Sequence, residues 1–198
     1  MLIGRRADRK HHTLEQEVFK TAKKITIASP TWKRDLESIG AKNVDVVYYG
    51  YDEDDFSHFE KRHNEHFKIF HGGLIGNDRN TEVLFEVIKD LINEDPTLES
   101  KLKLSFAGEV DYEVMQSIEK NGLNRITEFI GMISRKEVFH HYEDASLLIL
   151  PINKAKNANG RIPGKLYEYM RSRTSILAFG PETGDVKEIV ESKGLGAY

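Results

Sequence analysis

Two cations and one carboxylate recur at helical spacing in the segment 160–170, which reads GRIPGKLYEYM. Pro163 suits the first turn of a helix, because it lacks an N–H and its φ is already helical. At about 100° per residue, such a helix places Arg161, Lys165 and Glu168 on one strip. The strip adjoins a face that we expect to pack on a sheet: Ile162, Leu166, Tyr169, Met170 and Arg173. This arrangement suits a phosphate near a helix N-terminus, with a solvated salt-bridge strip as the alternative.

A second candidate site is the glycine-containing loop 71–80, which reads HGGLIGNDRN. Gly72 and Gly73 follow a predicted strand and precede a predicted helix. Glycines let backbone N–H groups approach an anion, and the helix N-terminus adds a partial positive charge. We predict a phosphate-binding loop. An ordinary tight turn is an equal alternative, because the spacing matches neither the dinucleotide fingerprint nor a P-loop.

The histidines do not predict a metal site. Five of them lie in a charged stretch or on a predicted helix, without the carboxylate or thiolate partners of metal sites: His58, His63, His66, His140 and His141. His71, at a strand end beside Gly72, is the one histidine that we keep as a candidate site residue. The chain has no cysteine, which excludes disulfides and thiolate zinc sites and favours a reducing compartment.

The elements that position these residues follow an α/β pattern. Five β-type runs each end in Gly or Pro and are mostly separated by segments of helical period: 69–72, 104–108, 128–131, 148–151 and 177–180. One helix is predicted over 80–95 with Asn80 as its N-cap, and another over 134–143, where Ser134 and Glu137 have capping-box spacing. The alternation predicts a parallel sheet with helices on both faces. Ligands of such sheets bind outside the carboxyl ends of the strands.

The rest of the sequence limits the class of protein. The front section predicts two helices and two short strands, which are too few for a domain, and the charged stretch 52–66 predicts an exposed connection. The 198 residues carry a net charge of -3, no long basic run and no apolar run near 20 residues. We therefore expect neither nucleic-acid binding nor a transmembrane segment. No signal segment opens the sequence, and we expect a cytoplasmic protein.

These segments together resemble the retaining glycosyltransferases of family 4. The most specific part is 160–181, where PGKLYEYM is followed by SILAFGP, similar to the donor-site segment of that family. The loop 72–79 resembles its first donor-domain loop. The runs ITIASP (25–30) and VVYYGYD (46–52) resemble the end of its acceptor domain. The resemblance implies a GT-B fold, in which two Rossmann-like domains face each other and the C-terminal one binds a nucleotide sugar.

The resemblance also implies a domain division and a reaction. Residues 1–51 correspond to a remnant of the acceptor domain, 52–66 to the interdomain link and 67–198 to a doubly wound donor domain truncated at its C-terminus. We expect hexose transfer from a UDP- or GDP-linked donor to a glycan or lipid-linked acceptor that the missing domain binds, in polysaccharide biosynthesis. The isolated fragment is expected to be inactive. No cofactor or metal is implied, and the full-length enzyme is expected to be cytoplasmic or peripheral to the membrane.

Roles for individual residues follow from the same resemblance. Glu168 matches the second of two glutamates eight positions apart, the one that holds the ribose hydroxyls, whereas Gly160 stands at the position of the first. Gly73 stands where the family has an arginine, and Arg79 matches a lysine that grips the diphosphate. The other donor-site candidates are Gly72, Arg161 and Lys165. Fixed cations of this kind stabilise the negative charge that grows on a leaving diphosphate.

Two other functions remain open on the residues alone. A dinucleotide-dependent oxidoreductase domain has an acidic residue after its second strand, and Glu109 does follow Gly108. The glycine pattern at 72–76 is nevertheless wrong for its pyrophosphate turn. A non-catalytic sugar-nucleotide-binding module is favoured by Gly160, because the first glutamate of the donor motif is absent there.

Overall fold

The fold is built on two parallel sheets. The computed structural model describes residues 4–198, so the first three residues of the predicted 1–51 remnant lie outside the described part. The strands are β1 (Ile25–Ile27), β2 (Val44–Val46), β3 (Phe67–Gly72), β4 (Leu102–Ala107), β5 (Thr127–Gly131), β6 (Leu147–Pro151), β7 (Ser175–Phe179) and β8 (Gly196–Ala197). β1 and β2 form a small sheet, and the others form a larger one in the order β5-β4-β3-β6-β7-β8.

The larger sheet confirms the predicted α/β class. Every neighbouring pair of its strands is parallel, and the five runs that end in Gly or Pro supply β3 to β7. The sixth strand, β8, was not predicted from the pattern. At two residues, it is too short to show a period. The carboxyl ends of all these strands lie on one edge, as the sequence predicts for a ligand-binding sheet.

Helices cover both faces of the larger sheet. The helices are α1 (Arg5–Thr21), α2 (Pro30–Ser38), α3 (Glu82–Glu94), α4 (Tyr112–Lys120), α5 (Arg135–Asp144), α6 (Lys165–Ser172) and α7 (Asp185–Ser192). α3 and α4 pack on one face, whereas α5, α6 and α7 pack on the other. This is the doubly wound arrangement that was predicted. Across residues 4–198, none of these helices combines the length and the apolar character needed to cross a bilayer.

The sheet is buried on both faces because successive residues of a strand point to opposite sides. In β3, Ile69 contributes to the core beneath α3 and α4, whereas Phe70 contributes to the core beneath α5 to α7. In β6, Ile149 likewise contributes to the core beneath α3 and α4, and Leu148 contributes to the core beneath α5 to α7. The two cores thus explain why these strands are nearly continuous apolar runs, as is typical of parallel sheets.

Sequence signals locate one helix start correctly and another wrongly. The Ser134 hydroxyl accepts the Glu137 N–H at 3.3 Å, and the Glu137 carboxylate accepts the Ser134 N–H at 2.8 Å, so α5 begins with the predicted capping box. Helix α3, however, begins at Glu82, and Asn80 is not its N-cap. Asn80 ends a short 3-10 turn with a ψ of 123°, which holds it extended. Thr81 occupies the cap position without a side-chain cap bond.

The N-terminal section docks on the larger sheet through α2. Ser29 caps this helix by accepting the Trp32 N–H at 3.2 Å, and Pro30 occupies its first position. Thr31 donates its N–H and its hydroxyl to the two carboxylate oxygens of Asp185, at 3.1 and 2.7 Å. Asp185 is buried at the start of α7. Helix α1 has no buried residue, so α2 makes the link to the larger sheet.

The stretch between β2 and β3 is less exposed than its charge predicts. Phe56 is buried, and its ring packs edge-on against Phe139 with 4.8 Å between the ring centroids. The Arg171 guanidinium lies 5.0 Å from the same ring and also pairs with Glu53. The expectation of an exposed connection is therefore wrong at Phe56, because one aromatic side chain anchors an otherwise polar segment.

We expect Asp185→Ala to lower the free energy of unfolding by about 1–3 kcal/mol, because both donors of Thr31 lose a buried charged acceptor. Urea unfolding measures this loss. Glu188→Ala, which removes an exposed acid one turn further along α7, is the matched control, with an expected change within about 0.5 kcal/mol. Equal losses in the two variants would show that the Thr31–Asp185 contact does not hold the N-terminal section.

Candidate functional site

The candidate site is a cleft at the carboxyl edge of the larger sheet, between the loops that follow β3 and β6. The strand order reverses between these two strands, and open α/β sheets bind ligands at such a point. The cleft has a volume of about 470 Å³. Polar and aromatic side chains from four separate segments line it: Trp32, Tyr49, His71, Arg79, Asn153, Arg161 and Lys165.

Lys165 is the cation that lies deepest in this cleft. It is the first residue of α6, and its Nζ donates to the Gly72 carbonyl oxygen at 2.5 Å. Burial lowers the pKa of Lys165 to about 8; the positive charge of Arg79 adds to this lowering, and the carboxylate of Glu168 opposes it. A cation in this setting is poorly solvated and gains from a nearby anion.

Two glycines at neighbouring strand ends, Gly73 after β3 and Gly108 after β4, are required by close approach. Gly73 has a φ of +117°, and a Cβ there would lie 2.7 Å from the Lys165 Nζ. The neighbouring strand end is equally tight, because a Cβ on Gly108 would lie 2.7 Å from the Gly73 carbonyl carbon. A larger residue at Gly73 would therefore have to displace the ammonium, and its backbone would be strained at this φ.

Two arginines bring further positive charge to the cleft. Arg79 lies at the end of a 3-10 turn, where its Nη1 donates to the Leu74 carbonyl oxygen at 3.3 Å. Arg161 is exposed and also lines the cleft. The predicted helical strip is wrong for Arg161, because α6 begins only at Lys165 and Pro163 precedes it. Arg161 still reaches the cleft, because a turn over residues 158–160 directs the chain there.

Glu168 lies outside this group and does not line the cleft. Its Oε1 is 3.0 Å from Nη2 of Arg135, and its Oε2 accepts the hydroxyl of Tyr142 at 3.2 Å. Arg135 also donates to the carboxylate of Asp55, in the segment that precedes β3. Only 16% of the Glu168 side chain is exposed. The structure thus brings together Gly72, Gly73, Arg79, Arg161 and Lys165, and it places Glu168 one turn further along α6.

Gly160 is buried beneath Trp32, and no side chain fits there. A Cβ on Gly160 would lie 2.2 Å from Cδ1 of the indole ring. The indole Nε1 donates to the Asn157 carbonyl oxygen at 3.1 Å, which holds the ring over this turn. The position where the resemblance expects a glutamate is therefore occupied by an aromatic side chain of the N-terminal section.

His71 forms part of the floor of the cleft as a neutral imidazole. Its Nδ1 lies 3.1 Å from the Ile149 carbonyl oxygen, which can only accept, so Nδ1 carries the proton. Burial lowers the pKa of His71 to about 3, and the charge of Lys165 acts in the same direction. The Nε2 atom is buried without a partner among the described residues. His71 therefore lies beneath the cleft without carrying charge.

Sequence analysis missed three residues that line the cleft. Trp32 and Tyr49 belong to the front section, for which the sequence predicted only helices and short strands. Asn153 was not singled out. Their contribution depends on how distant segments pack, although the position of Asn153 just after a Pro-terminated strand is a local signal. Among the described residues, no group of three or more His, Asp or Glu side chains could hold a metal ion.

Comparison with known families identifies a match over most of the chain. Residues 66–197 match the model of the family described as "Glycosyl transferases group 1". The matched range contains both the β3 loop and the whole of α6. A search of the curated proteins finds no match to this sequence.

Solved structures with the same fold share low sequence identity with this chain. HepE of Anabaena, solved with UDP and glucose, is 14% identical with a TM-score of 0.65, and the match covers 92% of this chain and 52% of HepE. A TarM variant of S. aureus, solved with UDP and two saccharide ligands, is 14% identical with a TM-score of 0.63, covering 91% of this chain and 34% of TarM.

A third similar structure is WaaG, a glycosyltransferase involved in lipopolysaccharide biosynthesis. It is 14% identical with a TM-score of 0.61, and the match covers 98% of this chain and 55% of WaaG. This chain thus spans about half the length of HepE and of WaaG. The likenesses support the GT-B, Rossmann-like architecture.

We expect Gly160→Ala to lower the free energy of unfolding by about 1–3 kcal/mol, because the added methyl overlaps the Trp32 ring. The loss should be smaller in a Trp32→Ala background, where the methyl has room. Urea unfolding of the single and double variants measures both values. Gly164→Ala, in the same loop, is the control, because a Cβ there meets nothing within 4 Å. An equal loss at Gly160 in both backgrounds would contradict the proposed clash with Trp32.

Proposed function

Because this chain belongs to the family of group 1 glycosyl transferases, we propose that its cleft binds the diphosphate of a nucleotide sugar for glycosyl transfer. The observation that carries the proposal is the position of the Lys165 ammonium, 2.5 Å from the Gly72 carbonyl oxygen and near the charge of Arg79. A cation that is mostly removed from water gains from an anionic ligand. Arg161, which also lines the cleft, adds a further charge.

The proposed chemistry is the departure of a nucleoside diphosphate from the anomeric carbon of a sugar. The carbon–oxygen bond to the diphosphate breaks, the sugar gains oxocarbenium character, and negative charge grows on the leaving oxygen. Cations and backbone dipoles that are already in place stabilise that charge without reorganisation. Lys165 and Arg79 supply the cations, and the backbone around Gly73 allows close approach.

We propose a UDP- or GDP-linked hexose as donor and a glycan or lipid-linked acceptor. UDP is bound in the HepE and TarM structures, which favours UDP over GDP as the nucleotide of the donor. Assignment to family 4 and a retaining mechanism rest on the resemblance over 160–181. For Glu168 we propose the ribose contact. A carboxylate has about four lone-pair directions, and Arg135 and Tyr142 contact it at one oxygen each.

The domain division is part of the same proposal. We assign 67–198 to the donor domain, 52–66 to the link and 1–51 to the acceptor side, which contributes Trp32 and Tyr49 to the cleft. Since the chain spans about half of HepE, we propose that by itself it binds nucleotide without transferring sugar. Orientation of an acceptor contributes roughly 7–11 kcal/mol to such a reaction.

A non-catalytic sugar-nucleotide-binding module is the second candidate function. The observation that favours it is the packing of Trp32 over Gly160, which leaves no space for the first carboxylate of the donor motif. The dinucleotide-dependent oxidoreductase gains no such support, because the family match lies with glycosyl transferases. Sugar transfer by a longer protein that contains this chain would exclude the non-catalytic module.

We expect Lys165→Ala to weaken the binding of UDP by about ten- to a hundredfold while sparing uridine. A charge-assisted hydrogen bond contributes roughly 1.5–3 kcal/mol, and about 1.4 kcal/mol corresponds to tenfold. Isothermal titration calorimetry with the two ligands measures the difference. Lys193→Ala, an exposed lysine just after α7, is the control. If Lys165→Ala binds UDP as the parent does, the diphosphate does not lie at Lys165.

The lowered pKa of Lys165 predicts a pH dependence for the same binding. Between pH 7 and pH 9 the lysine passes through its pKa of about 8 and loses the charge that holds the diphosphate. We expect UDP affinity to fall by up to about tenfold over this interval. His71 does not contribute, because its pKa of about 3 keeps it neutral throughout. The Lys165→Arg variant stays charged, so its affinity for UDP should not change between pH 7 and pH 9. If its affinity falls with pH as steeply as that of the parent protein, the assignment to Lys165 is wrong.

A further inference from the structure

Helix α5 contributes two side chains that hold the carboxylate of Glu168 from both of its oxygens. Nη2 of Arg135 lies 3.0 Å from Oε1, and the hydroxyl of Tyr142 donates to Oε2 at 3.2 Å. Burial raises the pKa of Tyr142, so its hydroxyl keeps the proton that it donates. Because the two donors contact different oxygens, they fix the rotation of the carboxylate as well as its position.

The carboxylate of Glu168 retains acceptor capacity for a ligand. A carboxylate can accept along about four lone-pair directions, and the two donors from α5 take one at each oxygen. The side chain is partly exposed, so a ligand can reach it from solvent. The two neighbouring hydroxyls of a ribose need two acceptor directions on one rigid group. The remaining directions of Glu168 therefore suit that diol only while the carboxylate keeps its plane.

Arg135 is itself held by a second carboxylate, that of Asp55. Its Nε donates to Oδ2 of Asp55 at 3.0 Å, and its Nη2 donates to the same oxygen. Nη2 carries two N–H donors, so it can contact Asp55 and Glu168 at the same time. The hydrogen bond to Asp55 is the largest cause of the raised pKa of Arg135, and the charge of Glu168 adds to it. Asp55 is therefore the partner that fixes the guanidinium.

The turn that carries Asp55 is anchored to α5 by aromatic packing. Phe56, the next residue, is buried and packs edge-on against Phe139, with 4.8 Å between the ring centroids. The guanidinium of Arg135 lies 5.2 Å from the centroid of the Phe139 ring. The same aromatic contact thus sets the position of Asp55 and of the guanidinium that it holds. The position of Asp55 is therefore determined by the protein itself and does not need a ligand.

We propose that Asp55 is a positioning residue of the nucleotide site. It holds Arg135, and Arg135 holds the carboxylate of Glu168 in the plane that receives the ribose diol. The inference rests on the proposed function, because it takes Glu168 as the ribose contact. It goes further in one respect: nucleotide affinity depends on a residue that does not line the cleft and that belongs to the stretch between β2 and β3.

The test is isothermal titration calorimetry with UDP and with 2′,3′-dideoxy-UDP, which lacks the ribose hydroxyls. The ratio of the two dissociation constants measures what those hydroxyls contribute. Asp55→Asn should lower this ratio by about three- to tenfold, because part of a charge-assisted hydrogen bond to the ribose is lost. The affinity for 2′,3′-dideoxy-UDP should not change. Glu53→Gln is the matched control, since it breaks the ion pair of the same turn with Arg171 and should leave the ratio unchanged.

Arg135→Lys and a double variant test the same proposal independently. Lysine keeps the positive charge but lacks the planar fork that serves two carboxylates at once. The ratio should therefore fall in Arg135→Lys as it does in Asp55→Asn. In a Glu168→Gln background, adding Asp55→Asn should lower the ratio no further, because the carboxylate on which Asp55 acts is already gone. These results would support the positioning role.

Other outcomes would overturn the proposal in distinguishable ways. If Glu168→Gln lowers the ratio but Asp55→Asn and Arg135→Lys do not, the positioning role is wrong and the ribose contact stands. If Asp55→Asn weakens both ligands equally, or if Glu53→Gln lowers the ratio as much, the turn acts on the protein in general and not on Glu168. If Glu168→Gln leaves the ratio unchanged, the ribose contact is wrong as well. If the parent protein does not bind UDP, the proposed function fails, and the positioning role fails with it.

Discussion

The cleft depends on the contact between the Lys165 ammonium and the Gly72 carbonyl oxygen. An ammonium group loses hydration when it is buried, and one neutral oxygen compensates only part of that loss. The contact exists because two glycines, Gly73 and Gly108, let two strand ends and the start of α6 approach closely. The same approach places the charge of Arg79 near Lys165, which lowers its pKa further. The Lys165 ammonium therefore remains only partly compensated for its lost hydration, and a nearby anion would stabilise it.

The N-terminal section participates in the site and is not merely adjacent to it. Trp32 covers Gly160, and Thr31 in the same helix turn binds Asp185 with both of its donors. These contacts hold α2 against the loop after β6, so the indole and Tyr49 become walls of the cleft. Gly160 thus carries no side chain because the Trp32 ring fills the space that a side chain would need.

Glu168 connects the site to the segment that precedes the sheet. Its carboxylate contacts Arg135, and Arg135 contacts Asp55, three residues that are far apart in sequence. Phe56, next to Asp55, is buried against Phe139 of the same helix as Arg135. Helix α6 is therefore tied to the segment before β3 through one guanidinium, whose planar donors can serve two carboxylates at once.

The sequence by itself determined the α/β class, the parallel sheet and the edge at which the site lies. Apolar runs that end in Gly or Pro, such as 148–151, carry that information locally, and so does the capping box of Ser134 and Glu137. Only the tertiary structure decided that Arg161 precedes α6, that Glu168 lies outside the cleft and that Trp32 covers Gly160. Helical periodicity specifies angles around an axis, but it specifies neither where a helix begins nor which distant side chain packs on it. The position of Trp32 depends on segments more than 100 residues apart, as its bond to Asn157 shows, whereas Glu168 is held by contacts from a neighbouring helix.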